Sequence, residues 1–333
     1  MNKSLKSNQL QQDCLWCRNI IEDCKKEVGK RIIGQTQVFD GIFTAMITGG
    51  HVLLEGVPGL AKTLAVKTFA EISGLSFKRI QFTPDLLPAD VTGTMLYNQN
   101  ESSFSVRKGP IFTNIVLADE INRSPAKVQS ALLEAMAEKQ VTIGEQTYEL
   151  PKPFLVLATQ NPIEQEGTYN LPEAELDRFL LKVKVPYPMP NEEVKIVKAG
   201  GNPENIYVKQ ILDKEMLDKC RSLLDSIVCD DRIIEYIVSI ISVTRPEIAG
   251  AQKGNDILRY ISYGASPRAS IALAKCAKAR ALFQGRTFVL PEDVKVCAPS
   301  VLRHRLVLSY EAGADGVTAD ELIDKIISFI PVP

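Results

Sequence analysis

Residues 51–74, HVLLEGVPGLAKTLAVKTFAEISG, carry the strongest structural signal in the chain. The apolar run HVLLEG (51–56) is typical of a buried parallel strand. The segment AKTLAVKTFAEISG (61–74) has helical periodicity and ends on Gly74, a residue favoured just after a helix. Between them lies GVPGLAKT (56–63), which the flanking strand and helix place in the context of a phosphate-binding P-loop.

The residue types of this loop suit a nucleotide phosphate. Backbone N–H groups and the positive end of the following helix attract phosphate oxygens. Lys62 supplies a point charge for the β- and γ-phosphates, and Thr63 offers a hydroxyl to Mg²⁺. Ala61 replaces the usual last glycine, and its small methyl group still lets a phosphate approach the backbone. The predicted nucleotide-binding residues here are Gly56, Val57, Pro58, Gly59, Leu60, Ala61, Lys62, Thr63 and Leu64. For this motif alone, an ordinary strand–turn–helix is the alternative interpretation.

A second motif, IVLADE (115–120), is an apolar strand that ends in two acids. We expect Asp119 to hold Mg²⁺ through water and Glu120 to polarise the attacking water. An acidic strand end, or a helix N-terminus, would accommodate such carboxylates equally well. The two motifs together predict a site that hydrolyses Mg-ATP.

The rest of the chain predicts two domains. The runs FKRIQF (77–82), IVLADE and FLVLATQN (154–161) are strand-like and alternate with helical patterns, which indicates a three-layer α/β sheet. After the proline-rich break PYPMP (186–190) the patterns are helical, and Ser266-Pro267 is typical of a capped helix start. We therefore expect an α/β domain over residues 1–185 and a small helical domain over residues 186–333.

Composition excludes several classes of protein. The chain has 333 residues, 45% of them hydrophobic and 24% charged, which is ordinary globular usage. With 39 Lys plus Arg against 40 Asp plus Glu, the net charge is −1, so nucleic acid is an unlikely partner. No apolar run is long enough to span a membrane, and the first residues lack the apolar core of a secretory signal. We expect a cytoplasmic protein.

Seven cysteines are scattered along the chain, and this odd number suits reduced thiols better than a disulfide framework. Cys14 and Cys17 form a C-x-x-C pattern, but the sequence near them has no second Cys or His pair to complete a zinc site. We interpret them as reduced thiols on a helix, against the alternative of a redox or metal role.

Longer motifs identify a family resemblance. They are ADEINRSPAKVQSALLEAM (118–136), ATQNPIEQEGTYNLPEAELDRF (158–179), GASPRAS (264–270), VLRHRLVLSYEA (301–312) and PVP (331–333). On these segments the chain resembles the MoxR branch of the AAA+ ATPases over nearly its whole length. The resemblance implies an AAA+ P-loop core with a parallel sheet, followed by a small all-α lid domain.

The resemblance also implies roles for single residues. Asn161 resembles the sensor-1 residue that orients the lytic water, Arg178 the arginine finger that reaches a neighbouring subunit's γ-phosphate, and Arg268 the sensor-2 residue of the lid. Gly34 and Gln35 would lie by the adenine. From the sequence alone, Asn161 could equally be a strand-ending Asn, Arg178 a surface ion-pair residue, and Gly34 with Gln35 a turn. Arg123 is a further candidate for an intersubunit contact.

The sequence predicts two hairpins, 94–106 and 141–150, the second with Gly144 at its turn. The resemblance implies that the first faces a ring's pore and that the second is the pre-sensor-1 hairpin of the same clade, both with a substrate-facing role. The alternative is that both merely extend a sheet. The family resemblance implies a homo-oligomer, a hexamer, that remodels or matures protein clients with a partner bearing a von Willebrand factor A domain. Alternatives are a chelatase-type motor subunit for metal insertion, a nucleic-acid motor of the same clade contacting phosphates through Arg107 and Lys108, and a nucleotide-gated scaffold.

Overall fold

The computed structural model describes residues 2–100, 102–162, 167–200, 203–246 and 256–333. Residue 101 of the first predicted hairpin and residues 163–166 of the motif at 158–179 lie outside the described residues. Contacts divide the chain into two units. Asp23–Phe179 and Val183–Leu217 form an α/β unit, whereas Met1–Glu22, Leu180–Lys182 and Asp218–Pro333 form a helical unit.

The elements follow in chain order. The strands are β1 (Val52–Glu55), β2 (Phe77–Gln81), β3 (Gly93–Asn98), β4 (Ser103–Lys108), β5 (Ile115–Asp119), β6 (Gln140–Ile143), β7 (Gln146–Glu149), β8 (Leu155–Gln160), β9 (Leu181–Lys184), β10 (Ile261–Tyr263) and β11 (Val307–Leu308). The helices are α1 (Asn2–Val28), α2 (Thr36–Thr48), α3 (Lys62–Ser73), α4 (Pro88–Thr92), α5 (Ala126–Glu138), α6 (Glu173–Leu176), α7 (Pro190–Lys198), α8 (Lys214–Ser226), α9 (Asp231–Val243), α10 (Pro267–Phe283), α11 (Pro291–Leu302), α12 (Tyr310–Ala314) and α13 (Ala319–Phe329).

A five-stranded sheet in the order β2-β5-β8-β1-β9 organises the α/β unit. The pairs β2/β5, β5/β8 and β1/β8 are parallel, with Gln81 opposite Asp119 and Glu55 opposite Gln160. Parallel strands end at the same edge of a sheet, so the loops that follow them converge there. The sequence predicted four of these strands and missed β9, whose four residues alternate apolar and Lys.

Helices cover both faces of the sheet, which confirms the predicted three-layer α/β architecture. On one face, α5 packs in a core cluster with Leu53, Val116 and Val156. On the other, α2 and α3 bring together Phe39, Phe43 and Phe69, whose ring centroids lie 5.9–6.2 Å apart. Strand β5 is buried along its whole length, as expected for a central parallel strand.

Both predicted hairpins are present. Strands β3 and β4 pair antiparallel, as do β6 and β7, and Gly144 lies in the second turn with φ +63°. The two hairpins touch, because a Cβ at Gly144 would meet the Met95 sulfur. On the first hairpin, Tyr97 and Phe104 are exposed and their rings lie 5.1 Å apart.

In the helical unit the predicted start of α10 is confirmed: the helix begins at Pro267, and the Ser266 hydroxyl accepts a hydrogen bond from the Arg268 N–H at 3.2 Å. A short pair, β10 with β11, interrupts the helices. Cys14 and Cys17 are buried on α1, and the Cys17 and Cys220 sulfurs lie 3.3 Å apart. Within the parts of the chain described above, no helix is long and apolar enough to cross a bilayer.

Candidate active site

The P-loop connects β1 to α3 at the carboxyl end of the sheet. Two of its residues have left-handed backbone conformations, Gly59 with φ +86° and Ala61 with φ +53°. Ala61 immediately precedes α3, so the residue that replaces the usual glycine occupies a conformation that glycine adopts more easily. The Lys62 ammonium donates to the Gly56 carbonyl, which holds this side chain back along the loop.

A cavity of about 600 Å³ opens beside this loop, within the size range of small-molecule sites. It gathers five of the predicted functional side chains, Lys62, Thr63, Asp119, Glu120 and Asn161, together with the loop backbone. The cavity is lined by Pro58, Gly59, Leu60, Ala61, Lys62, Thr63, Leu64, Arg79, Asp119, Glu120, Asn161, Pro203, Glu204 and Asn205. All of these residues belong to the α/β unit.

Strand order explains how these side chains meet. Asp119 ends β5, Glu120 follows it, and Asn161 follows β8, the strand between β5 and β1. The three therefore flank the P-loop at one sheet edge, although 99 residues separate Lys62 from Asn161 in the sequence. Asp119 is 8% and Asn161 6% exposed, so their polar groups are largely shielded from bulk water.

Thr159 fixes the two acids, and the sequence reasoning missed it. Its hydroxyl donates to Asp119 Oδ1 at 2.6 Å and accepts the Glu120 backbone N–H at 2.8 Å. Glu120 has φ +57°, a left-handed conformation that costs a non-glycine residue about 1–2 kcal/mol. This backbone turn directs Glu120 away from the strand direction and into the cavity rim.

Two polar residues of β2 were also missed. Arg79 donates to Asp119 Oδ2 through Nε at 2.9 Å and Nη2 at 2.7 Å. Gln81 donates to Glu120 Oε2 at 2.8 Å, and Arg123 donates to the same oxygen at 3.0 Å. The three polar residues within the strand FKRIQ were a usable signal. Which strand lies next to β5, however, depends on the sheet order, which the sequence pattern does not contain.

Some predicted residues lie outside the cavity lining. The Gln35 amide donates to the Leu60 carbonyl at 2.6 Å, so it contacts the P-loop backbone, and its Oε1 is buried with no hydrogen-bond partner. A Cβ at Gly34 would meet the Glu192 carboxylate. Gly56 donates its N–H to the Gln160 carbonyl at 3.2 Å, which ties the start of the loop to β8. Val57, the next residue, is not among the described residues that line the cavity.

The remaining predicted residues are two arginines, the arginine-finger candidate Arg178 and the sensor-2 candidate Arg268. Arg178 is exposed, follows α6, and donates from Nη1 to the Leu133 carbonyl of α5 at 2.7 Å. Within the described part of the α/β unit, it does not line the cavity. Arg268 lies in the helical unit, exposed in the first turn of α10.

Comparison with known proteins agrees with this geometry. Residues 51–181 match the ATPase family associated with various cellular activities (AAA), and residues 257–326 match the AAA lid domain. Chaperone MoxR1 of Mycobacterium tuberculosis is 47% identical over 309 residues, which cover 92% of this chain and 81% of that protein. The uncharacterized protein YeaC of Bacillus subtilis is 44% identical over 92% of this chain and 93% of its own length. The crystal structure of a candidate ATPase from Cytophaga hutchinsonii has 47% identity, covers 99% of both chains and gives a TM-score of 0.88.

Proposed function

Because this chain belongs to the MoxR family of AAA+ ATPases, we propose that it hydrolyses Mg-ATP in a ring oligomer, a hexamer, to remodel or mature protein clients. One observation carries the proposal: a single cavity gathers a P-loop lysine and threonine, two carboxylates and an asparagine. This is the set of groups that hydrolysis of a nucleoside triphosphate requires.

The residues present fit a nucleotide with its metal. The left-handed turns at Gly59 and Ala61 shape the loop whose N–H groups would bind phosphate oxygens, and Lys62 adds a positive charge. The unpartnered Gln35 Oε1 next to the P-loop is an acceptor suited to an amino group such as that of adenine. Thr63 and Asp119 supply the oxygen ligands that Mg²⁺ prefers.

The chemistry follows from where each side chain stands. Glu120 and Asn161 orient the attacking water, and Glu120 accepts its proton. Lys62 stabilises the negative charge that develops on the γ-phosphate. A magnesium ion held by Thr63 and Asp119 would neutralise further negative charge on the phosphates.

The position of Arg178 is one argument for a ring. Among the described residues, Arg178 is exposed and does not line the P-loop cavity of its own chain, and a guanidinium is the side-chain group best suited to phosphate oxygens. We propose that Arg178 completes the site of a neighbouring subunit and that Arg268 of α10 senses the nucleotide from the lid.

The client-handling half of the proposal rests on the hairpins and on the name of a relative. Met95, Leu96, Tyr97 and Phe104 are exposed apolar or aromatic side chains on one hairpin, which suits contact with unfolded protein segments. The similar mycobacterial protein is named a chaperone. The von Willebrand factor A domain partner is proposed from the family resemblance.

The nucleic-acid alternative would use Arg107 and Lys108 to contact phosphates. The Lys108 ammonium already lies over two aromatic rings, 4.9 Å from the centroids of both Phe112 and Tyr148, which disfavours that alternative.

A mixing experiment tests assembly and catalysis together. Arg178→Ala subunits keep the P-loop and lack the finger, whereas Lys62→Ala subunits keep the finger and cannot hold ATP. Each protein alone should be nearly inactive, since an arginine finger contributes ~10³–10⁵ to the rate. Mixed rings contain some interfaces with both intact halves, so activity should return at concentrations where rings form. Mixed rings that sediment normally and stay inactive would remove Arg178 from this role and make Arg123 the residue to test.

A further inference from the structure

Arg79 donates hydrogen bonds to Asp119, the carboxylate that the proposed function assigns to magnesium. It lies on β2 opposite Leu117 of β5, two residues before Gln81, so both side chains are on the same face of the strand. Two of its N–H groups donate to the same oxygen, Asp119 Oδ2, at 2.9 and 2.7 Å. Its side chain is 49% exposed and lines the cavity, so the ion pair is open to the space beside the P-loop.

These bonds nearly saturate Asp119. A carboxylate has about four acceptor positions, two on each oxygen. Arg79 uses both positions of Oδ2, and the Thr159 hydroxyl uses one on Oδ1 at 2.6 Å. A metal ion, or a water in its shell, needs an acceptor position that points into the cavity. The positive charge of the guanidinium also repels a divalent cation that approaches the same carboxylate.

A further bond holds Arg79 in this place. Its Nη2 also donates to Gln81 Oε1 at 2.6 Å, and Gln81 in turn donates to Glu120. The guanidinium is therefore oriented by two partners, the Asp119 carboxylate and the Gln81 side-chain oxygen.

We propose that Arg79 is a positioning residue that competes with Mg²⁺ for Asp119 and so sets the magnesium concentration at which the site loads. The inference rests on the proposed function, because it takes Asp119 as the residue that holds the metal. Removing the guanidinium frees the Oδ2 acceptor positions, so the site should load at lower Mg²⁺.

The test measures nucleotide binding rather than turnover. The affinity for a fluorescent, non-hydrolysable ATP analogue is measured over a series of free Mg²⁺ concentrations and in EDTA. Arg79→Met removes the charge and keeps the length of the side chain. Lys78→Met is the matched control, because it removes the same charge from the neighbouring, exposed residue on the opposite face of β2.

The midpoint is the free Mg²⁺ concentration at which half of the Mg²⁺-dependent gain in analogue affinity is reached. We expect this midpoint to be about three- to tenfold lower in Arg79→Met than in Lys78→Met, which is the scale of a half-exposed charged hydrogen bond. Arg79→Lys keeps the charge without the fork, so its midpoint should lie between, and it provides the measurement if Arg79→Met does not fold. In EDTA the Met variants should bind the analogue alike.

An unshifted or higher midpoint overturns the inference. A loss of analogue affinity in EDTA that occurs only in Arg79→Met also overturns the inference, because Arg79 would then be a phosphate ligand. A wild-type protein that binds no analogue at any Mg²⁺ concentration would instead overturn the proposed function, and this inference with it.

Discussion

The two ends of the parallel sheet both bury polar side chains, but they use them differently. At the carboxyl end, Asp119 and Asn161 are nearly buried and yet line a cavity. At the amino end, His51 precedes β1, and the backbone engages both of its ring nitrogens: the Val156 N–H donates to Nδ1 at 3.0 Å, and Nε2 lies 3.2 Å from the Met136 carbonyl. A buried polar group whose hydrogen bonds are all made to the backbone supports the fold, whereas one that lines a cavity lies where a ligand can reach it.

The protonation state of His51 fits its structural role. Its Nδ1 accepts a hydrogen bond, so the proton lies on Nε2 and is donated to Met136. Burial is the main reason that the pKa of His51 is lowered to about 4; the charge of Lys139 acts in the same direction, and the hydrogen bond with Met136 acts against it. His51 is therefore neutral near pH 7, and its ring packs edge-on against Phe154 with centroids 5.8 Å apart.

The largest effect is expected at the carboxyl end. Lys62→Ala should lower ATP affinity roughly a hundredfold or more, because charge-assisted hydrogen bonds contribute about 1.5–3 kcal/mol each. Its melting temperature without nucleotide should stay near that of the wild type. Direct nucleotide titration measures the affinity, with Lys67→Ala on the same helix as the control. Equal losses in both variants would mean that Lys62 has no special place in the site.

The amino end should behave in the opposite way. His51→Ala leaves the Val156 N–H unsatisfied and opens a cavity, so the free energy of unfolding should fall by about 2–4 kcal/mol. Nucleotide affinity of the folded fraction should be unchanged. Urea unfolding together with nucleotide titration separates the two quantities. If His51→Ala kept wild-type stability and bound nucleotide more weakly, the amino end of the sheet would serve the binding site rather than the fold, contrary to this comparison.

The pH dependence of stability should also report on His51. The unfolded chain binds a proton below about pH 6.5, whereas the folded state resists it down to about pH 4. The unfolding free energy should therefore decline as pH falls through this window, by up to roughly 1.4 kcal/mol per pH unit from this group. His51→Asn keeps an acceptor for Val156 and cannot titrate, so its decline should be shallower. Identical slopes would contradict the assignment.

The smallest effect concerns Ala61. Replacing it with glycine relieves a left-handed conformation worth ~1–2 kcal/mol but adds chain entropy of ~0.5–1 kcal/mol to the unfolded state. Ala61→Gly should therefore raise the free energy of unfolding by up to about 1.5 kcal/mol. Thermal or urea unfolding checks this, and Ala65→Gly within α3 should destabilise instead. A loss of stability in Ala61→Gly would show that its conformation carries no strain.

Much of the α/β unit could be predicted because its signals are local. A P-loop lies within eight residues, β5 is a continuous apolar run, and parallel strands bring their carboxyl ends together wherever they stand in the sheet. Lys62, Asp119, Glu120 and Asn161 could therefore be expected at one site. The roles of Arg178 and Arg268, and the domain boundary at residue 186, stay predictions.

What the sequence did not reveal depends on the order of the strands. Arg79 and Gln81 reach the acids only because β2 lies beside β5, and Thr159 does so only because β8 lies on the other side. The sequence did not predict strand β9, because LKVK has only four residues and two of them are lysines. The role of His51 likewise depends on Met136, 85 residues away in the chain.

The most direct test of the central claim, that the cavity at the carboxyl end hydrolyses ATP through Glu120, compares binding with turnover in Glu120→Gln. The substitution keeps the size of the side chain and its hydrogen bond to Gln81 but removes the base. Affinity for Mg-ATP should match that of the wild type, while steady-state turnover should fall by roughly two orders of magnitude or more. Turnover that persists in Glu120→Gln, or a loss of ATP binding with chemistry intact, would contradict this account.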